Sequence, residues 1–134
     1  MLLTKSLLTD HAAVTDLAVE SLNISGRLRF RATGLSMMPA ISPGSCVTIK
    51  KTDIAAVEPG SVVLVRSHAG LLLHRLVGRD GQFAITRGDN NKDPDPPVTC
   101  AQILGVMAAV ERPRILRRWY FRVRAQIRTW QHGR

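Results

Sequence analysis

Alternating and clustered hydrophobic positions predict that most of the chain folds into β-strands. Residues 27–32 alternate arginine with Leu28, Phe30 and Ala32, which is typical of a strand with one buried face. Five mostly apolar runs predict further strands near residues 46–50, 62–66, 71–78, 83–86 and 102–110. We therefore expect a mainly β fold, a coiled and partly open barrel-like sheet of about six strands, with a short helix at each end of the chain.

Helical spacing replaces alternation at the N-terminus, where residues 1–24 predict a helical segment. Its apolar residues recur every three or four positions and are Ala13, Val14, Leu17, Ala18 and Leu22. Asp10, Asp16 and Glu20 interrupt the segment, so we do not expect it to span a bilayer. Residues 1–8 lack the basic start and long apolar centre of a secretory signal. The expected location is therefore the cytoplasm.

Residues 111–134 form a basic tail that differs in charge from the rest of the chain. The tail carries eight arginines and one glutamate, a balance of +7 out of the net charge of +9. Its apolar stripe on one predicted helix face consists of Leu116, Tyr120, Val123, Ile127 and Trp130. A basic amphipathic helix with two tryptophans favours peripheral contact of Arg112–Arg134 with the inner membrane face. The same stripe would also serve to cover the sheet, and nucleic-acid binding, prompted by charge alone, ranks last.

The chain thus divides into a helical segment at 1–24, a β domain at 25–110 and the tail at 111–134. Its two cysteines, Cys46 and Cys100, are far apart and form no Cys-x-x-Cys motif or Cys/His cluster. Neither a zinc site nor a disulfide framework is predicted, and we expect no metal and no cofactor.

Ser36 stands at a sharp exit from the first predicted strand. Gly34 breaks that strand and Pro39 prevents regular structure from resuming at once, so the serine would stand clear of the backbone. His74 is the single histidine of the apolar run 71–78. A serine hydroxyl needs a base within hydrogen-bond reach, and histidine titrates near neutral pH without much help. We therefore expect Ser36 to be a nucleophile and His74 its general base.

Three carboxylates share a loop later in the chain, and they are Asp89, Asp93 and Asp95. Serine, histidine and aspartate together make up a hydrolytic triad, which is recognised by role rather than by chain order. The carboxylate that orients the histidine must be held rigidly, and Pro94 and Pro96 would hold Asp95 in this way. Each of the three carboxylates remains a candidate on this reasoning.

Three motifs resemble the sequence boxes of type I signal peptidases: Ser36-Met37-x-Pro39, His74-Arg75 and Gly88-Asp89-Asn90-Asn91. The resemblance is to the archaeal and endoplasmic-reticulum branch, in which histidine replaces the lysine base of the common bacterial enzymes. Gly34-x-Ser36-Met37 also resembles the self-cleavage domain of LexA repressors, a relative with the same fold. The resemblance covers residues 25–110 and implies a catalytic β domain of the signal peptidase/LexA type. Signal peptidases normally carry a transmembrane anchor ahead of the serine box, and this sequence predicts none.

The resemblance also implies roles for the carboxylates of the loop. Asp95 matches the aspartate taken as the triad member, whereas Asp89 matches an aspartate that mainly shapes the site. Asp93 is the alternative triad member, because insertion of the two prolines would shift the loop by one pair of residues. The candidate catalytic residues are therefore Ser36, His74 and Asp95.

The oxyanion hole of such a site would combine the Ser36 backbone N–H with one further donor. Gly34 stands where many bacterial signal peptidases have a donating serine, as it does in the LexA-like proteins. Thr33 or a second backbone N–H would then serve instead. Leu35 and Met37 would flank the substrate, although plain core packing explains them about as well.

The expected function is that of a serine endopeptidase that cleaves a signal or leader peptide through an acyl-enzyme on Ser36. Its partner would be a peptide or protein substrate. A LexA-like regulator that cuts itself is an alternative, weakened because the segment before Ser36 has no Ala-Gly or Cys-Gly bond and no DNA-binding domain precedes it. The third alternative is a non-catalytic peptide-binding module that retains the fold.

Overall fold

The computed structural model describes residues 11–113. Within this range it contains one α-helix, α1 (His11–Ser25), and two short 3-10 helices, Ile54–Ala56 and Cys100–Gln102. The same range contains seven β-strands: β1 (Arg27–Arg31), β2 (Cys46–Lys50), β3 (Val62–Ser67), β4 (Gly70–Asp80), β5 (Phe83–Arg87), β6 (Val98–Thr99) and β7 (Ile103–Glu111).

All seven strands belong to one antiparallel sheet in the order β1-β2-β7-β3-β4-β5-β6. Strands β3 to β6 follow one another as a meander, whereas β7 returns from the end of the domain to lie between β2 and β3. The sheet curls into a half-barrel, which confirms the predicted mainly β, partly open architecture. The prediction of about six strands missed β6, because two residues are too short to show an alternating pattern.

Helix α1 packs its apolar face against β1 and β4. Val14, Ala18 and Leu22 recur at four-residue spacing and are buried, whereas Asp16 and Glu20 are exposed. The predicted N-terminal helix is therefore confirmed from residue 11 onward, and residues 1–10 lie outside the described range.

The core has two layers because alternate residues of β3 point to opposite faces of the sheet. Val62 and Leu64 belong to the layer that includes α1, while Val63 and Val65 belong to the layer on the other face. All four of these β3 side chains are buried, so the first four positions of the strand are apolar, as a central strand with two covered faces requires. Strand β4, which carries His74, is paired directly to this central strand.

Of the predicted basic helical tail, residues 111–134, only the first three positions are described, and residues 114–134 lie outside the described range. Among residues 11–113, no helix is long and apolar enough to cross a membrane.

Candidate active site

The nucleophile candidate, Ser36, lies in an irregular turn that follows β1. Gly34 begins the turn with a φ of +83°, a left-handed backbone conformation that residues with a Cβ rarely adopt. The Met38 amide then donates to the Leu35 carbonyl across 3.1 Å, which closes the turn around Ser36. The Ser36 side chain is half-buried.

His74 lies on β4, directly opposite Val63 of β3, and only 3% of its surface is exposed. Its Nε2 atom is 3.0 Å from Oγ of Ser36. Its Nδ1 atom is 2.5 Å from Oδ2 of Asp95. The structure therefore brings the three predicted catalytic side chains together in the order serine, histidine, aspartate, with both ring nitrogens engaged.

Asp95 reaches the imidazole from the loop that follows β5. Its backbone N–H donates to the Thr86 carbonyl across 2.8 Å, and Thr86 Oγ1 donates to Asp95 Oδ2 across another 2.8 Å. Sequence reasoning did not single out Thr86. The sequence does contain one indication that Thr86 is buried. Thr86 lies two positions after Ala84 on a predicted strand, and residues two positions apart face the same side of a sheet.

Asp89, the second carboxylate of the loop, pairs with Arg75 and not with the imidazole. Arg75 donates from Nε and from a terminal nitrogen to the two carboxylate oxygens, each across 2.8 Å, and also donates to the Gly60 carbonyl. These hydrogen bonds from Arg75, assisted by its charge and opposed by partial burial, hold the pKa of Asp89 below its ordinary value. The same hydrogen bonds raise the pKa of Arg75.

The start of the loop is tied to the backbone around Ser36. The Asn90 N–H donates to the Ser36 carbonyl across 2.8 Å, and its side-chain amide donates to the Leu35 carbonyl across 3.2 Å. Gly88 packs so closely that a Cβ added to it would lie 2.7 Å from the Ser36 carbonyl oxygen. The Gly-Asp-Asn-Asn motif thus positions the serine through its backbone, through close packing and through the ion pair of Asp89.

The remaining carboxylate candidate, Asp93, is exposed and lies outside the hydrogen-bonded group formed by His74, Ser36 and Asp95. Cys46 and Cys100 are free thiols. Within residues 11–113, no group of three histidine, cysteine or acidic side chains is arranged to hold a metal ion.

A pocket of about 220 Å³ lies beside Ser36. Its walls are mostly apolar and come from the end of β1, the Ser36 turn, α1, β3 and the first half of β4; among them are Phe30, Thr33, Gly34, Leu64, Leu71 and Leu73. Met37 lines the pocket but is 5% exposed and belongs to the core, whereas Leu35 is 63% exposed. Met37 thus packs in the core and also lines the pocket, so both interpretations of this residue remain open.

The arrangement joins a hydroxyl, a buried imidazole and a carboxylate into one chain of hydrogen bonds, beside a mostly apolar pocket. Such a chain can remove a proton from the hydroxyl and hold it on the imidazole. Neither a comparison with models of known protein families nor a comparison with curated proteins returns a match to this chain.

Proposed function

We propose that the protein is a serine endopeptidase of the type I signal peptidase kind, with a fold of the signal peptidase/LexA type. The observation that carries the proposal is the continuous hydrogen-bonded chain from Ser36 Oγ through His74 to Asp95, with distances of 3.0 and 2.5 Å. The burial of His74 adds support, because a base screened from bulk water interacts more strongly with the groups on either side of it.

In the proposed reaction, Nε2 of His74 accepts the proton of Ser36 as Oγ attacks the carbonyl carbon of a peptide bond. The C–N bond breaks when His74 gives this proton to the departing amine, which leaves an acyl ester on Ser36. His74 then takes a proton from a water molecule as the water oxygen attacks the ester carbon. The bond from that carbon to Ser36 Oγ breaks, His74 returns the proton to Oγ, and the carboxylic acid product leaves. Asp95 keeps Nδ1 protonated, so that the lone pair of Nε2 faces the serine.

The pocket beside Ser36 supports a peptide as the substrate. Its mostly apolar walls would receive an apolar or small side chain next to the scissile bond. Thr33 and Gly34 line the pocket on the side of the Ser36 turn, where the second oxyanion donor is expected. A signal or leader peptide offers such side chains in an extended segment.

The two alternative functions receive less support. A LexA-like regulator would have to deliver a bond of its own chain to Ser36, and residues 1–35 contain no Ala-Gly or Cys-Gly bond. A module that only binds peptides has no use for a buried imidazole between a hydroxyl and a carboxylate. The desolvation of such polar groups costs free energy that binding alone does not require.

We further propose peripheral contact with an anionic membrane face through the basic tail. The tail itself lies outside the described residues, apart from its first three positions. One feature of the described part supports the contact: Arg27, Arg29 and Arg31 are all exposed on one face of the edge strand β1. Arginines near an anionic bilayer each contribute roughly 1 kcal/mol of attraction.

Peptide profiling in cells that produce the protein tests the endopeptidase. Cells with Ser36→Ala should accumulate uncut precursors that are processed in cells with the wild-type protein. Ser61→Ala, a serine outside the hydrogen-bonded chain, is the matched control and should leave processing intact. Identical peptide populations in wild-type and Ser36→Ala cells would count against the proposed function.

A further inference from the structure

Thr86 is a buried polar side chain that the proposed reaction does not yet use. Only 1% of its surface is exposed, and it occupies an inward position of β5. Burying a hydroxyl is unfavourable unless it forms a hydrogen bond, and valine would fill nearly the same space without one. The partner of the hydroxyl is Oδ2 of Asp95, at 2.8 Å. What threonine adds over valine at this position is therefore this one hydrogen bond.

Thr86 holds Asp95 at both ends of the residue. Its carbonyl accepts the Asp95 backbone N–H, and its hydroxyl donates to the Asp95 carboxylate. Pro94 and Pro96 restrict the backbone of the loop, but they do not fix the side-chain torsions of Asp95. The hydroxyl of Thr86 is the group that fixes the carboxylate.

The pairing of β4 with β5 places Thr86 and the Asp95 carboxylate next to the imidazole of His74. Thr86 lies opposite Leu76, and Leu76 is two residues from His74, so the three side chains share one face of the sheet. Oδ2 of Asp95 then receives Thr86 Oγ1 and His74 Nδ1 together. The distance from carboxylate to imidazole is thus set by strand pairing and not by the loop alone.

We propose that Thr86 is a positioning residue of the peptidase. It acts through Asp95 to hold the imidazole of His74 within hydrogen-bond distance of Ser36. This inference rests on the proposed function. The hydroxyl of Thr86 bonds to Asp95, whereas that of Ser36 bonds to His74. Its neutral hydroxyl stabilises the negative charge of Asp95 and fixes the oxygen that accepts the Nδ1 proton.

The test uses a fluorophosphonate, which reports on the serine without knowledge of the natural substrate. Ser36 Oγ attacks phosphorus, the P–O bond forms, the P–F bond breaks and fluoride departs, while His74 takes the serine proton. The maximal rate of inactivation and the probe concentration at half-maximal rate are measured separately. The variants are Thr86→Val, Thr86→Ser, Asp95→Asn and the double variant Thr86→Val/Asp95→Asn, all in the full chain.

Thr86→Val should lower the maximal rate about tenfold to a hundredfold, the loss that matches one hydrogen bond to a charged group. The half-maximal concentration should not change, because the probe does not contact Thr86. Thr86→Ser keeps the hydroxyl and should retain most of the rate. In the Asp95→Asn background, Thr86→Val should cause little further loss, because the residue acts through the carboxylate.

Two results would overturn the role of Thr86 while leaving the peptidase intact: a wild-type rate in Thr86→Val, or an equal loss with and without Asp95. If Thr86→Val does not fold, Thr86→Ser and Thr86→Ala form the comparison, since they also differ by one hydroxyl. Absence of any labelling of Ser36 in the wild-type protein would instead contradict the proposed function, and the role of Thr86 with it.

Discussion

Both oxygens of the Asp89 carboxylate accept hydrogen bonds from the Arg75 guanidinium, each at 2.8 Å. Arg75 follows His74 directly on β4, and Asp89 follows Gly88, which packs against Ser36. The ion pair therefore connects the strand that carries the candidate base to the loop that supports the candidate nucleophile. It is a positional link within the site and not part of the proton path.

Asp89→Asn should destabilise the protein by about 1 kcal/mol at pH 7, measured by urea denaturation. The expected value is modest because the Arg75 side chain is 36% exposed, so solvent screens the pair. Asp93→Asn removes an exposed carboxylate from the same loop and serves as the control. An equal effect of the two substitutions would show that the ion pair contributes nothing specific.

The difference in stability between wild type and Asp89→Asn should depend on pH. Because Arg75 lowers the pKa of Asp89 in the folded state, the wild-type carboxylate binds its proton less readily when folded than when unfolded. Its stabilising contribution is fully present above the ordinary aspartate pKa, about 4, and is lost as the pH falls through the lower folded value. Urea midpoints of the two proteins should converge below about pH 4. A difference between the two urea midpoints that stays constant from pH 7 to pH 3 would contradict a contribution from the ionised Asp89 carboxylate.

Gly88→Ala should impair catalysis more than it impairs folding. An added Cβ would lie 2.7 Å from the Ser36 carbonyl oxygen and 3.0 Å from the Ser36 Cβ, so the serine or the loop must move. A displacement of about 1 Å near reacting groups costs on the order of a hundredfold in rate. Gly78→Ala is the matched control on β4, because a Cβ there meets nothing within 4 Å. Equal fluorophosphonate labelling rates for the two variants would contradict the close-packing argument.

The rate of peptide cleavage should depend on the imidazole of His74, because its Nε2 atom lies within hydrogen-bond reach of the Ser36 hydroxyl. His74→Lys should be largely inactive at neutral pH, because a lysine in an unprepared pocket stays protonated. Cleavage by His74→Lys at the wild-type rate at pH 7 would contradict histidine as the general base.

Removal of residues 112–134 should release the protein from anionic vesicles without slowing cleavage of a peptide in solution. The segment contains eight arginines, which are attracted to anionic lipid, and two tryptophans, which suit the interface between headgroups and acyl chains. Vesicle sedimentation at low and high salt measures the effect, and high salt should weaken binding of the full chain. If the truncated protein unfolds and the full chain does not bind vesicles, the membrane contact is wrong and the apolar stripe of the tail covers the sheet instead.

The fold could be predicted where each strand shows its own pattern. The alternation at residues 27–31 and the apolar runs of β3 and β4 indicated strands because each buries a face that its own residues define. Strand order could not be predicted in the same way. The insertion of β7 between β2 and β3 depends on pairing between segments distant in the chain, which no local pattern encodes.

The site, like the fold, could be predicted from local patterns only in part. Ser36 and His74 could be singled out because each interrupts a local pattern, a strand exit and an apolar run. The choice of Asp95 over Asp89 came from the motif resemblance, and the structure gives its physical reason: Arg75 engages Asp89, and Thr86 holds Asp95 at the ring. The role of Thr86 depends on the pairing of β5 with β4, which brings its hydroxyl to Asp95 beside His74. A threonine at this position of the sequence does not by itself indicate that role.

Cleavage by the purified protein of the precursor peptides that accumulate in Ser36→Ala cells tests the central claim most directly. Mass spectrometry of the products should show one cut per precursor with the wild-type protein and with the Ser61→Ala control. Ser36→Ala and His74→Ala should each give no cut while retaining the wild-type circular dichroism spectrum, because nucleophile and base act as a unit. Cleavage by Ser36→Ala at the wild-type rate would contradict the assignment of a serine endopeptidase to this site.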